Sequence, residues 1–141
     1  MNSASAESAA TRRPGAAPLV LGLDVGTGKV AAVLTTREGR LQEAATLSHG
    51  AKVGALPPGR AEQDPARLRE AAWSAVERLS ADLRSRVAAV GVTGQMHGLL
   101  LLDGTGAPVS NLVTWQDGRC LETPAFLERL RTRTGHALRT G

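Results

Sequence analysis

The sequence is poor in aromatic residues and in cysteine, and it has no long apolar run. Its 141 residues include two Trp, one Phe and no Tyr, so a folded core must be built from Leu, Val and Ala. A single cysteine, Cys120, excludes an intramolecular disulfide and a cysteine-based zinc site, and it fits a reducing cytoplasm. No segment approaches the ~20 apolar residues that span a bilayer, so we expect no association with a membrane.

Length and charge limit the chain further. A chain of 141 residues can bury one modest core, which predicts a single domain or part of one. The net charge is +4, and the stretch after residue 118 concentrates five arginines against two glutamates. Because Phe126 is the only aromatic residue among these arginines, a solvated helix face is favoured over a nucleic-acid partner.

The first eighteen residues differ in composition from the rest. Residues 1–18 are rich in Ala, Ser, Arg and Pro and lack apolar periodicity, which predicts a disordered leader before a domain at 19–141. Arg12 and Arg13 stand before an apolar run, as in a twin-arginine signal. Asp24 interrupts that run, which is too short for a secretory signal, so we reject this interpretation.

The order of apolar and turn residues predicts an α/β fold. Strands are expected at 19–23, 29–36 and 41–47, followed by a loop over 51–63. Asp64 is a good N-cap and Pro65 a good first residue for a helix whose apolar stripe runs from Leu68 to Leu83. The remaining predicted elements are buried strands at 87–92, beside the first strand, and at 99–102, a hairpin-type turn at 103–106, a strand or extended segment at 109–115 and an amphipathic helix near 124–134.

A polar loop bracketed by glycines, residues 93–98, lies between two of these apolar runs. We expect it at a sheet end, where glycines let the backbone approach a ligand. Gln95 and His97 supply several hydrogen-bond donors and acceptors, which suits a polyhydroxylated ligand of the size of a sugar. A polar turn that only connects two strands is the alternative.

A second candidate site is the turn at residues 24–28. A carboxylate at a strand end, followed by Gly-Thr-Gly, can surround phosphate oxygens with N–H groups and a hydroxyl while the acid holds a metal ion. Leu23 and Val30 stand where a P-loop needs glycine and Ser or Thr. A dinucleotide fingerprint matches only formally, because strand formers follow it and no acid lies about twenty residues on. A plain hairpin turn is the alternative.

A third candidate lies at residues 115–120, where Asp117 and Arg119 flank a glycine. The two side chains could bind hydroxyl groups of a ligand or pair with each other across the turn. By itself this segment does not decide between ligand binding and pairing of the two side chains.

Taken in order, the three segments resemble the N-terminal part of the FGGY carbohydrate kinases. Residues 24–27 resemble the opening Asp-x-Gly-Thr of that family, and residues 94–98 resemble its xylulokinase-type sugar loop. Residues 115–119 resemble its Trp-(Asn/Gln)-Asp-Gly-Arg segment, and the sequence of residues 113–120 is similar to that of sedoheptulokinases. The resemblance covers roughly residues 19–141.

The resemblance implies an actin-like, ribonuclease-H-like α/β domain, incomplete here, with a mixed sheet and flanking helices. In the family such a domain meets a second one across a cleft that holds the sugar, with ATP and Mg²⁺ on the far domain. Phosphoryl transfer from ATP to a hydroxyl of a ketose, of the sedoheptulose or xylulose class, is the implied reaction. The implied residues are Asp24 for Mg²⁺ and the transferring phosphate, Gly26, Thr27 and Gly28 near the phosphates, Met96 and His97 on the sugar, and Gln95 and Asp117 in support.

The chain also departs from the family pattern. Lys29 and Ala31 stand where the family often has Ser and then Lys or Arg, so Lys29 is given no phosphate role. The family's general-base aspartate and nucleotide-binding domain have no match in the sequence, so we expect the chain to be inactive alone. Three arrangements fit: a piece of a longer kinase, a sugar-binding module or vestigial product without turnover, and a protein completed by a separately encoded C-terminal domain.

Overall fold

A computed structural model describes residues 16–123 together with 125, 128 and 129. These residues fall into two compact units. The sheet unit comprises residues 16–50 and 66–95, and the second unit comprises residues 51–65 and the described residues from 96 onward. The helix expected near 124–134 lies outside the described residues except for 125, 128 and 129, and the leader lies outside them up to residue 15.

Within residues 16–123 the regular structure consists of six strands, two α-helices and one 3₁₀ turn. The strands are β1 (Leu19–Val25), β2 (Lys29–Thr35), β3 (Leu41–Ser48), β4 (Glu62–Gln63), β5 (Val87–Gly94) and β6 (Leu112–Val113). The helices are α1 (Pro65–Glu77) and α2 (Ala81–Arg84), and a 3₁₀ turn covers Arg119–Glu122. In the part of the chain that the structure describes, no helix has the length and apolar character needed to cross a membrane.

The four long strands form one mixed sheet in the order β3-β2-β1-β5. β1 pairs antiparallel with β2 and β2 with β3, whereas β5 pairs parallel with β1. A parallel pair of strands needs a long crossover connection, and the segment between β3 and β5, which contains α1 and α2, provides it. The expected meander of three strands, and the return of the chain beside the first strand, are confirmed.

The core lies between α1 and one face of this sheet. Alternate residues of β1 and β2 are buried against α1, as the pleat of a strand requires. The buried cluster consists of Leu19, Leu21, Val30, Ala32, Leu34, Ala71, Ala75 and Leu79. It contains only Leu, Val and Ala, as the shortage of aromatic residues predicted.

The helical stripe from Leu68 to Leu83 is not one helix, and that expectation is wrong. α1 ends at Glu77 and α2 begins at Ala81, although Leu79 between them is buried. Ser80 has an extended ψ of 136°, and its N–H and hydroxyl both donate to the Glu43 carboxylate, at 2.9 and 2.6 Å. Because Ser80 donates its hydrogen bonds to β3 and has an extended backbone, one helix cannot continue through this position.

Burial of the later apolar runs was also predicted wrongly. β5 forms where expected, but Val90 and Val92 are 58% and 70% exposed because only Val87 of β5 packs against the core. The run at 99–102 is not a strand. It makes isolated bridges from Leu99 to Val113 and from Leu102 to Pro108, and Leu99, Leu101 and Leu102 are more than half exposed.

The second unit is organised by short backbone pairings. β4 pairs antiparallel with β6, which places Glu62 opposite Val113 and Gln63 opposite Leu112. The turn at 103–106 is confirmed, since the Gly106 N–H donates to the Asp103 carbonyl at 3.0 Å. Of the loop predicted over 51–63 only β4 is a strand, and of the segment over 109–115 only β6 is.

Candidate functional site

Asp24 lies at the carboxyl end of β1, one residue before the strand ends. In the sheet register it stands between Ala31 on β2 and Thr93 on β5. Its side chain is exposed and makes no hydrogen bond or ion pair with any described residue. The carboxylate is therefore available to a ligand.

The turn after Asp24 is tight and depends on Gly26. The Gly26 N–H donates to the carbonyl oxygen of Lys29 at 3.0 Å. A Cβ on Gly26 would lie 3.2 Å from that oxygen and 3.8 Å from Oδ2 of Asp24, closer to the backbone oxygen than side chains usually come. Thr27 and Gly28 form the tip, and the Gly28 carbonyl accepts hydrogen bonds from Ser48 and His49 of the third strand's end. The turn thus holds a fixed shape beside the free carboxylate.

A cleft of about 370 Å³ opens next to Asp24, on the sheet face opposite α1. Gly22 and Gly91 lie opposite each other in the β1–β5 register, and their missing side chains make this face concave. The lining residues come from three neighbouring strands and are mostly small: Gly22, Leu23, Asp24, Ala31, Val33, Gly91, Val92 and Thr93. Asp24 and Thr93 are the polar members of this lining.

The glycine-bracketed loop leaves the sheet beside the end of β1. The Gln95 N–H donates to the Val25 carbonyl at 3.0 Å. A Cβ on Gly94 would lie 2.9 Å from the same carbonyl oxygen, so the close approach of β1 and β5 requires glycine there. The prediction that this loop is held at a sheet end is confirmed.

Within the second unit, the loop carries two exposed side chains and one strained backbone position. Met96 is 71% exposed, and His97 is exposed as well. His97 has a φ of +58°, in the left-handed region, which costs a residue with a side chain roughly 1–2 kcal/mol. Gly98 follows, and a Cβ there would lie 3.0 Å from Cδ1 of Leu112 on β6. Strain of this kind is often kept where it orients a functional side chain.

Asp117 and Arg119 pair with each other, which was one of the two possibilities left open by the sequence. Oδ1 of Asp117 accepts from the N–H and Nε of Arg119 at 2.9 and 2.7 Å. Oδ2 accepts from Nη2 of Arg119 and from the Ala61 N–H, both at 2.8 Å. The Asp117 side chain is 1% exposed, so these contacts favour a role in holding the backbone. Its supporting role at the sugar stays a prediction.

Glu62 and Asn111 complete this group, and the sequence contains no motif that points to either. Nη2 of Arg119 donates to Oε1 of Glu62, and Nδ2 of Asn111 donates to Oε2 at 2.8 Å. Hydrogen bonds from Arg119 hold the pKa of Asp117 and the pKa of Glu62 below their usual ranges. We call Glu62, Asn111, Asp117 and Arg119 the Arg119 cluster.

The mixed sheet, with a free aspartate at the end of β1 and a polar loop at the end of β5, is that of an actin-like ATPase domain. Residues 19–141 match the model of the N-terminal domain of the FGGY family of carbohydrate kinases. The chain belongs to this family, and its predicted membership and fold class are confirmed.

Two of the relatives are named a sedoheptulokinase and a xylulose kinase. The chain is 34% identical to the sedoheptulokinase of Mus musculus, and the alignment covers 84% of this chain and 29% of that protein. It is 32% identical to the xylulose kinase of Escherichia coli K12 over 132 residues, 87% of this chain and 26% of that protein. The chain thus spans about a quarter of the length of the curated relatives it matches.

A solved structure agrees with these relatives. The crystal structure of a xyloylose kinase from Brucella ovis superposes with a TM-score of 0.71 at 32% identity. The superposition covers 84% of this chain and 26% of that chain, so the structure described here is a partial domain of the actin-like fold.

Proposed function

We propose that residues 19–141 form the N-terminal, sugar-binding part of an ATP-dependent ketose kinase. The observation that carries the proposal is the left-handed backbone of the exposed His97, in a glycine-bracketed loop that leaves the sheet beside the end of β1. The likeness to a sedoheptulokinase and a xylulose kinase supports a ketose of that class as the ligand.

Met96 and His97 are the residues proposed to contact the sugar. The imidazole can donate and accept hydrogen bonds, and the thioether covers the apolar C–H groups of a sugar. Gln95, half-buried at the start of the loop, supports them. A sugar that does not match leaves buried polar groups unpaired, so such contacts discriminate strongly among substrates.

Asp24 and the turn that follows are proposed to serve the phosphate side of the reaction. No group of three or more His, Cys, Asp or Glu side chains able to hold a metal ion occurs within the described residues. A single free carboxylate still fits Mg²⁺, which in phosphoryl-transfer sites takes one or two carboxylates and completes its shell with phosphate oxygens and water. Bound Mg²⁺ and ATP would supply the phosphoryl group and neutralise its charge, with Gly26, Thr27 and Gly28 near the phosphates.

A sugar titration tests the binding role. The 141-residue chain is titrated with D-xylulose and with sedoheptulose by calorimetry, beside His97→Ala and the control Gln42→Ala, whose side chain lies exposed on β3. Loss of a hydrogen bond to the ligand predicts that His97→Ala weakens binding by about tenfold. The control is expected to bind as the parent does, and an unchanged affinity in His97→Ala would remove the proposed role.

Sequencing the gene through and past codon 141 in all three frames tests the enzymatic role. We expect a continuation that encodes the general base and the nucleotide domain, and we propose that residues 1–141 alone bind sugar without phosphate transfer. In the continued protein, Asp24→Asn should lower kcat with little change in the KM for sugar. A stop without any such continuation would favour the alternative, a sugar-binding module or a vestigial product. A cytoplasmic location also stays a prediction.

A further inference from the structure

We propose that Glu62 is a positioning residue that holds the strained backbone of His97 through the Arg119 cluster and β6. Glu62 lies far from the loop in sequence and has no place among the predicted site residues. The sugar as the loop's ligand rests on the proposed function. The mechanical part of the proposal rests only on contacts within the second unit.

The Arg119 cluster joins two separate stretches of chain. Glu62 receives one hydrogen bond from Arg119 and one from Asn111, so its two oxygens join β4 to residues on both sides of β6. Asp117 accepts from the Ala61 N–H next to Glu62. Side-chain exposure is 17% for Glu62 and 1% for Asp117, so the two carboxylates are largely shielded from water, whereas Arg119 is 35% exposed. Breaking this cluster would leave β6 held to the β4 segment only by the strand pairing and by the hydrogen bonds from Thr114 to the Ala61 carbonyl.

β6 in turn holds the end of the loop. Glu62 lies opposite Val113, and Val113 lies opposite Leu99 on its other side. The Leu99 and Val113 N–H groups each donate to the other residue's carbonyl, both at 2.9 Å. The three residues therefore form one row across three segments of chain, and Leu99 stands two residues after His97.

The strained residue needs this support. Gly98 packs against β6 so closely that a Cβ would lie 3.0 Å from Leu112 and 3.4 Å from the Val113 carbonyl oxygen. A left-handed histidine persists only where the residues around it leave it no alternative, and here β6 is the element on which the following residues rest. If β6 moves away, His97 can relax to an ordinary conformation and its ring turns away from the ligand.

Amide hydrogen exchange of the 141-residue chain tests the proposal. Glu62→Ala removes both acceptors of Glu62, and we expect exchange of the Leu99 and Val113 amides to rise by about tenfold, the effect of losing hydrogen bonds to a charged group. The β1–β2 amides should keep their rates. Glu62→Gln keeps an acceptor for Arg119 and should restore most of the protection. The affinity for D-xylulose should be highest in the parent chain, slightly lower in Glu62→Gln and lowest in Glu62→Ala.

The matched control is Glu122→Ala, which removes the Arg60–Glu122 ion pair of the same unit, where the side chains are 27% and 56% exposed. It should leave Leu99, Val113 and sugar affinity unchanged. If the substitution loosened the whole second unit, hydrogen exchange of the Asp103 and Gly106 amides in the turn would also become faster. If Glu62 acts only by positioning β6, the exchange rates of these two amides stay unchanged. Unchanged exchange at Leu99 and Val113 in both Glu62 variants overturns the proposal. Faster exchange in a chain that binds no sugar supports the positioning role and refutes the proposed ligand.

Discussion

Gly94→Ala tests how closely the two site-bearing strands must approach. The added Cβ would lie 2.9 Å from the carbonyl oxygen of Val25, a backbone atom that cannot rotate away. That oxygen also accepts the hydrogen bond from the Gln95 N–H at 3.0 Å. The substitution therefore forces β1 and β5 apart at the end of the sheet where Asp24 lies and from which the loop with Gln95 leaves.

The expected cost follows from three contributions. Overpacking against a fixed atom costs roughly 1–3 kcal/mol. Weakening the Gln95–Val25 hydrogen bond costs about 1 kcal/mol. Replacing a glycine returns roughly 0.4–1 kcal/mol by restricting the unfolded chain. Together these lower the free energy of unfolding by about 2 kcal/mol.

Gly91→Ala is the matched control, because it lies three residues earlier on β5 and its Cβ would meet no atom within 4 Å. Only the unfolded-state contribution remains, so Gly91→Ala should be neutral or stabilising by roughly 0.5 kcal/mol. Both variants are unfolded in urea and followed by far-ultraviolet circular dichroism. Equal stability of the two variants would refute the argument from close approach.

Three further substitutions test other parts of the structure. Leu79→Ala empties a site that is 1% exposed and should lower the free energy of unfolding by about 2–4 kcal/mol in the same urea experiment. Val92→Lys, at a position that is 70% exposed on β5, should change the free energy of unfolding by less than about 0.5 kcal/mol in the same experiment. Asp117 has a lowered pKa in the folded chain, so its stabilisation is present above about pH 4 and is lost as the pH falls through the lowered value. Acid unfolding of Asp117→Asn, followed by circular dichroism, should therefore depend less steeply on pH below pH 4 than that of the parent.

Strand positions could be predicted because they depend on short-range patterns. Alternating apolar residues and turn glycines are sufficient to locate β1, β2 and β3 to within about two residues. Burial could not be predicted in the same way. Val90 and Val92 have the composition of a buried strand, yet they are exposed because the core packs only against Val87 of β5. Local sequence carries no information about which residues of a strand the core will cover.

Site residues divide along the same line. Asp24 stands two residues before Gly26 and His97 directly before Gly98, so motif and spacing point to them directly. Glu62 and Asn111 belong to no motif, and they meet Arg119 only because β4 pairs with β6. For Asp117 the sequence allowed either contact with a ligand or pairing with Arg119, and the folded chain shows the pairing.

The sequence by itself determined the family, the α/β class, an aliphatic core and the two loops that leave the sheet at one edge. These features depend on residue type and local spacing, which every conformation of the chain shares. Tertiary structure alone decided the break between α1 and α2, the exposure of β5, the left-handed His97 and the Arg119 cluster. The helix break and the Arg119 cluster depend on contacts between residues distant in sequence, Ser80 with Glu43 and Glu62 with Arg119, and such contacts exist only once the chain has folded.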